Sequence, residues 1–196
     1  PTLGYPGEGH FDPVTIATFN ARGLVSGGRL RSLLSHAKHR HIHVLLVQEH
    51  NFRGKHRHQV EATAKQLGFA PFVGYVTAVR NTGGAAVFVG SACPNIDLSK
   101  AHFTPALQGS VASVLLVQND ISTRFTSVYP PVPAPLRRVF FERLDRTGLI
   151  TSSTIAGGDW NCVPDPALDV KHADNISTDY PNHHANLIEK ILANKG

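Results

Sequence analysis

Two kinds of hydrophobic pattern alternate along the chain: short apolar runs of strand length, and segments whose apolar residues recur every three or four positions, as on one face of a helix. "VTIATFN" predicts a strand over residues 14–19, and Leu30, Leu33, Leu34 and Ala37 in "RLRSLLSHAKHR" predict a helix after it. "HVLLVQEH" is a continuous apolar run, as expected for a strand covered on both faces. Val60, Ala64 and Leu67 mark a second helical face, stopped by Gly68. "APFVGYV", "GGAAVFVG", "SVASVLLVQ" and "TRFTSVY" then predict consecutive strands. The proline-rich turn "PPVPAP" leads into a helix on Leu136, Phe140 and Leu144, "STIAGGDWN" predicts another strand, and a last helix is expected near residues 185–193. Crossover helices mixed with consecutive strands predict a two-sheet α/β domain rather than a purely parallel, doubly wound sheet.

The polar residues that close these runs carry the chemistry. "VTIATFN" ends at Asn20, "HVLLVQE" at Glu49, "FTSVY" at Tyr129, and "STIAGGDWN" at Asp159 and Asn161. Each has an ordinary structural role when taken singly: an asparagine capping a turn, a surface glutamate in an ion pair, a half-buried tyrosine. If neighbouring strands bring these ends to one edge, two carboxylates, two amides and a phenol converge. Carboxylates taken out of water need a cation or hydrogen-bond donors around them. A small set of oxygen ligands suits magnesium, which keeps several waters and takes one or two carboxylates plus phosphate oxygens. Gly157 and Gly158 would let backbone approach closely or bend the strand.

Composition narrows the class. A chain of 196 residues with 41% hydrophobic residues can build one domain with a sizeable core. No apolar run is long enough to span a bilayer, and "PTLGYPGEGH" lacks the features of a secretory signal, so an intracellular, reducing compartment is expected. Cys93 and Cys162 are too few for a disulfide framework and read as free thiols. The formal charge of +5 suits a polyanionic partner. Residues 36–58 concentrate histidines with Lys38, Arg40, Arg53, Lys55 and Arg57 against one acid, Glu49. That run is a candidate phosphate-facing surface or, equally, a solvated helix end and loop. No cysteine pair completes a zinc pattern there.

"TIATFNARGL", "HVLLVQEH", "GGAAVFVG", "FTSVYPP…LRRVFFERL" and "IAGGDWNCVPDPALD", in this order, resemble the endonuclease/exonuclease/phosphatase superfamily, and most closely the endonuclease domains of LINE-type (non-LTR) retrotransposons. The resemblance runs from Val14 onward, leaving residues 1–13 as an N-terminal extension and 14–196 as a C-terminally truncated domain of that type. It implies that Glu49 binds a catalytic magnesium (or manganese) with Asn20 beside it. Asp159 would orient or activate the attacking water, and Asn161 and Tyr129 would hold the scissile phosphate. Arg22 stands where some relatives carry an acid, and with Arg53, Lys55, Arg57, Arg137 and Arg138 forms the expected nucleic-acid surface. The family's closing Ser-Asp-His motif is missing from the sequence. Two functions therefore follow as expectations. One is a magnesium-dependent phosphodiesterase acting on nucleic acid, DNA before RNA, and impaired by that loss. The other is an inactive remnant that binds nucleic acid or a large assembly, with a protein partner covering the incomplete sheet.

Overall fold

The computed structural model describes residues 13–26, 28–77 and 83–161. Its strands are β1 (Ile16–Asn20), β2 (Val44–Gln48), β3 (Phe69–Val73), β4 (Ala85–Gly90), β5 (His102–Ala106), β6 (Val111–Gln118), β7 (Ile121–Val128) and β8 (Thr154–Gly158). Its helices are α1 (Arg29–His39), α2 (Arg57–Leu67) and α3 (Ala134–Arg146). The strands form two four-stranded sheets, ordered β1-β2-β4-β3 and β5-β6-β7-β8. Both are mixed: β1 runs parallel to β2 and β8 parallel to β7, while the remaining pairs are antiparallel.

The period-2 alternation of side chains decides what each sheet face buries. Val44 and Leu46 of β2 with Ala85, Val87 and Val89 of β4 point inward and meet Ala112, Val114, Leu116 and Phe125 of the second sheet. Leu45, Val47, Ala86 and Phe88 point the other way, onto Leu30, Leu34 and Ala37 of α1 and Val60 and Ala64 of α2. On the far side Val111 and Val128 pack against Phe140, Phe141 and Leu144 of α3. The result is four layers, helices, sheet, sheet, helix, in which β2 and β4 are buried along their whole length. Phe88 and Phe141 have no exposed surface, and each contributes roughly 1.5–3 kcal/mol through its burial.

The expected elements are present with three differences. The strand predicted in "GGAAVFVG" begins only at Ala85, because Gly83 and Gly84 hold positive φ (118° and 92°) that strand backbone does not adopt. The strand predicted in "APFVGYV" ends at Val73, where Gly74 passes against the carbonyl of Gly109 so closely that a Cβ would lie 2.8 Å from it. The third difference is β5, which the hydrophobic pattern does not predict: Pro105 and the exposed His102 conceal it. β6 and β7 are joined through Asn119 and Asp120, both left-handed (φ 48° and 62°), as a tight two-residue hairpin requires. The helix expected near 185–193, the loop-like stretch 164–184 and Cys162 lie outside the described residues.

Candidate active site

β1 and β2 run in the same direction, as do β7 and β8, and the sheets stack so that β8 lies over β1 and β2. Their C-terminal ends therefore meet. The Asn20 side-chain nitrogen donates to Glu49 Oε1 at 2.9 Å and to Asp159 Oδ2 at 2.7 Å, joining carboxylates from the two sheets. Asp159 Oδ1 accepts the backbone N–H of Asn161 at 3.0 Å. The Tyr129 hydroxyl lies beside the Glu49 carboxylate and the Asn161 side chain, whose amide donates to the Pro130 carbonyl at 2.8 Å. Hydrogen bonds thus join Glu49, Asn20, Asp159 and Asn161 in a chain, and the Tyr129 hydroxyl lies against both of its ends. All five strand-end residues singled out in the sequence lie in this cluster.

Burial and the neighbouring Glu49 carboxylate push the Tyr129 phenol up to about 12, so it is a neutral donor throughout the physiological range. Asn20 Oδ1 turns away from the carboxylates and accepts the N–H of Arg22 at 3.1 Å, closing the turn after β1. Among the described residues no three His, Cys, Asp or Glu side chains gather where they could share a metal ion.

Local backbone sets up these directions. Glu49 and Asn161 both hold left-handed φ, 53° and 49°, a conformation that is sparsely populated for residues with a side chain. At Glu49 it is enforced by neighbours: the Glu49 and His50 carbonyls accept Gly23 N–H (2.6 Å) and Leu24 N–H (3.0 Å), and Asn51 exchanges two hydrogen bonds with Gly83. The two glycines before Asp159 have distinct jobs. A Cβ on Gly157 would lie 2.8 Å from Leu46 Cδ1 of the facing sheet, and one on Gly158 would strike the Val128 carbonyl. Their bare backbone lets β8 sit close enough for Asp159 to reach Asn20.

Three further residues support the site without having stood out in the sequence. His50 is fully buried beside Glu49 and stacks on Phe52 with ring centroids 4.8 Å apart. Its Nδ1 accepts Phe52 N–H at 2.8 Å, which leaves the proton on Nε2. Nε2 lies by the backbone of Gly74 and Ala85 but makes no well-formed hydrogen bond among the described residues, and burial drives the pKa down to about 4. Gly84 faces this ring, and a Cβ there would come within 2.5 Å of it. Gln48 and Ser127 are the other two, both fully buried between the sheets. A glutamine closing an apolar run is the signal that could have marked Gln48; Ser127 carries none.

The basic residues are distributed unevenly. His36, Lys38, His39 and Arg40 end α1, before β2 begins, whereas Arg53, Lys55 and Arg57 follow its far end, where Glu49 lies. The run 36–58 is thus divided between opposite ends of one strand. Arg22, Lys55 and Arg57 are exposed near the strand ends, and Arg57 sits over the Tyr75 ring at 5.2 Å, within cation–π range. In the first turns of α3, Arg137 donates to the Val132 carbonyl at 2.6 Å and Arg138 pairs with Glu142 at 3.1 Å.

This arrangement, two stacked mixed sheets flanked by helices, is an α/β sandwich shared with solved endonuclease structures. Among solved structures, the endonuclease domain of TRAS1, a telomere-specific non-LTR retrotransposon, is similar with a TM-score of 0.61 and 18% identity, over 91% of this chain and 71% of that one. An AP endonuclease from Archaeoglobus fulgidus has a TM-score of 0.65 and 18% identity, over 92% of this chain and 70% of that one. The AP endonuclease LMAP from Leishmania major has a TM-score of 0.64 and 16% identity, covering 94% and 68%. At such identities the likeness is one of fold. No protein-family model matches the chain, and no curated protein resembles it in sequence.

Proposed function

We propose that this chain is a metal-dependent phosphodiesterase acting on DNA, with its site at the cluster of Glu49, Asn20, Asp159, Asn161 and Tyr129. The observation that carries the reading is the convergence of two carboxylates from different sheets on one amide nitrogen, at 2.9 and 2.7 Å. A cation would offset this pair of like charges more fully than one amide does, and the all-oxygen chemistry fits magnesium or manganese rather than zinc. Glu49, with Asn20 beside it, would hold the ion. When bound, the ion supplies Lewis-acid polarisation of the phosphodiester and neutralises charge growing on its oxygens.

The remaining roles belong to the chain. Asp159 orients the attacking water and accepts its proton. Its Oδ atoms each hold one hydrogen bond already and keep a further lone pair. Tyr129, a neutral phenol, and the Asn161 amide hydrogen not held by the Pro130 carbonyl would donate to the non-bridging phosphate oxygens. Arg22, Arg53, Lys55 and Arg57 would meet the flanking phosphates, with Arg137 and Arg138 beside the start of α3. One fold hosts many chemistries, so the site and not the fold carries the assignment.

The test is nicking of supercoiled plasmid by the purified chain in magnesium or EDTA, beside Glu49→Ala/Asp159→Ala. The expected result is magnesium-dependent nicking that falls by at least ~10²-fold in the variant, the scale of losing a principal charge-stabilising group. Plasmid binding without nicking, equal in both proteins, would overturn it in favour of a non-catalytic nucleic-acid-binding module.

A further inference from the structure

The layer of inward-facing side chains just below the site differs from the rest of the inter-sheet core. Deeper in, the facing residues are apolar: Val44, Leu46, Val87, Val114 and Phe125. One step nearer the rim, Gln48 of β2 and Ser127 of β7 stand beside Ala85 and Ala112, with Gly157 of β8 next to Ser127, and Thr18 of β1, level with Leu46, reaches up to Gln48. Gln48 Nε2 donates to Ser127 Oγ at 2.9 Å, and Ser127 Oγ donates to the Val47 carbonyl at 3.0 Å. Thr18 Oγ1 donates to Gln48 Oε1 at 3.2 Å. Gln48 and Ser127 are 1% and 0% exposed.

A buried polar pair in an apolar interface gives little net stability, because its bonds only replace those made to water. What it adds is geometry: apolar faces slide and settle over a range of separations, whereas hydrogen bonds of this length fix one. The pair's place in the chain shows which separation is fixed. Gln48 immediately precedes Glu49, and Ser127 stands two residues before Tyr129 on the other sheet. β7 in turn carries β8, whose Gly158 pairs with Val128 in register.

Resting on the function proposed above, we propose that Gln48 and Ser127 are positioning residues: their bond spans the two sheets and sets the distance between Glu49 and Asn20 on one side and Tyr129 and Asp159 on the other. Thr18 orients the glutamine from the β1 edge. Replacing both partners by apolar residues should leave the fold intact and let the two halves of the site drift apart.

The test uses Gln48→Leu/Ser127→Ala in the full chain, read in three ways. Thermal melting reports folding, plasmid nicking reports activity, and proton–nitrogen NMR of the metal-free protein follows the Asn20 side-chain amide, which is held between carboxylates of both sheets. The expected result is a melting temperature close to the parent's, since both partners are removed together. The shifted, slowly exchanging Asn20 amide resonances should be lost, and nicking should fall by ~10²-fold, as for a misplacement of about 1 Å. A folded variant that keeps the Asn20 signature and full nicking would overturn the proposal. If the parent chain does not nick but the Asn20 signature still collapses in the variant, the functional reading fails and the positioning role stands. Should the double variant not fold, Thr18→Val removes one donor to Gln48 at nearly constant shape; a smaller loss of the Asn20 signature is then expected, and its persistence would count against the proposal.

Discussion

The two lateral sides of the sandwich are built on opposite rules. On one side β3 and β5 form the sheet edges, each carries a proline in its interior, Pro71 and Pro105, and Phe72 meets Phe103 between them at 5.7 Å. A proline offers no N–H to an incoming strand, so both edges resist further pairing. On the other side β1 and β8 form the edges without proline or charge in the strand, and Phe19 and Ile155 stand 46% and 41% exposed. The filling differs as well: two aromatic rings on the proline side, and the polar layer of Thr18, Gln48, Ser127 and Gly157 on the side that bears the site. One side is finished and apolar. The other trades packing for placed polar groups, and its edge strands carry no proline that would bar a further strand.

The largest effect is expected where the site side has least room. Gly158→Ala drives a methyl into the Val128 carbonyl, and backbone cannot give way as a flexible side chain would. Unseating β8 from β7 should cost about 3 kcal/mol, at the upper end of overpacking penalties, and urea unfolding measures it. Gly157→Ala meets a side-chain methyl, Leu46 Cδ1, rather than backbone, so its cost should be smaller; equal costs would mean that β8 is seated by something other than its register on β7.

Acid should separate the two sides next. His50 is neutral and buried, with its pKa lowered from 6.5 to about 4 by desolvation. Between those values the unfolded chain binds a proton that the folded chain refuses, so stability is full above pH 6.5 and is lost as pH falls towards 4. The shift corresponds to about 3 kcal/mol. Comparing urea midpoints at pH 7 and pH 4.5 checks this, and His50→Asn, which keeps an acceptor for the Phe52 N–H, should flatten the slope.

The site was far more legible in the sequence than the devices that hold it. Asn20, Glu49, Tyr129, Asp159 and Asn161 announce themselves because each breaks an apolar run at its end, a local signal that needs no knowledge of pairing. Gln48 stands beside the more conspicuous Glu49, and Ser127 sits among Thr123, Arg124 and Thr126, where only the register with β6 and the facing β2 tells which polar residue points inward. β5 escaped for a related reason: its edge position, its proline and its exposed His102 are what an edge strand tolerates, and they erase the pattern that identifies buried strands. The two glycines suggested close approach from sequence. What they approach, Leu46 on one sheet and the Val128 backbone on the other, is set by tertiary contact.

On the proline side, Phe72→Ala removes half of the Phe72–Phe103 contact and leaves a void between β3 and β5. Full burial would make such a truncation worth 3–5 kcal/mol; because Phe72 is only partly buried, about 2 kcal/mol is expected, with plasmid nicking per folded molecule unchanged. A loss of nicking in the folded variant would show that the two sides are mechanically coupled, against the division drawn here.

The smallest effect is the most informative about the β1 edge. Phe19 lies beside an apolar groove of about 470 Å³ between β1 and α1, lined among others by Ala17, Leu24, Leu33 and Leu45. A ring nearly half exposed has little burial to lose, so Phe19→Ser should change stability by no more than about 0.5 kcal/mol, the range of ordinary surface substitutions. Its effect on association should be larger, since an unblunted edge beside an apolar groove is what edge-to-edge pairing uses. Sedimentation of the parent and the variant across a concentration series separates the cases. A variant that stays monomeric where the parent associates would identify β1 as the pairing edge. A stability loss well above 0.5 kcal/mol, with no change in association, would mean that the ring is already covered within the chain, and the contrast between the two sides would then rest on the prolines alone.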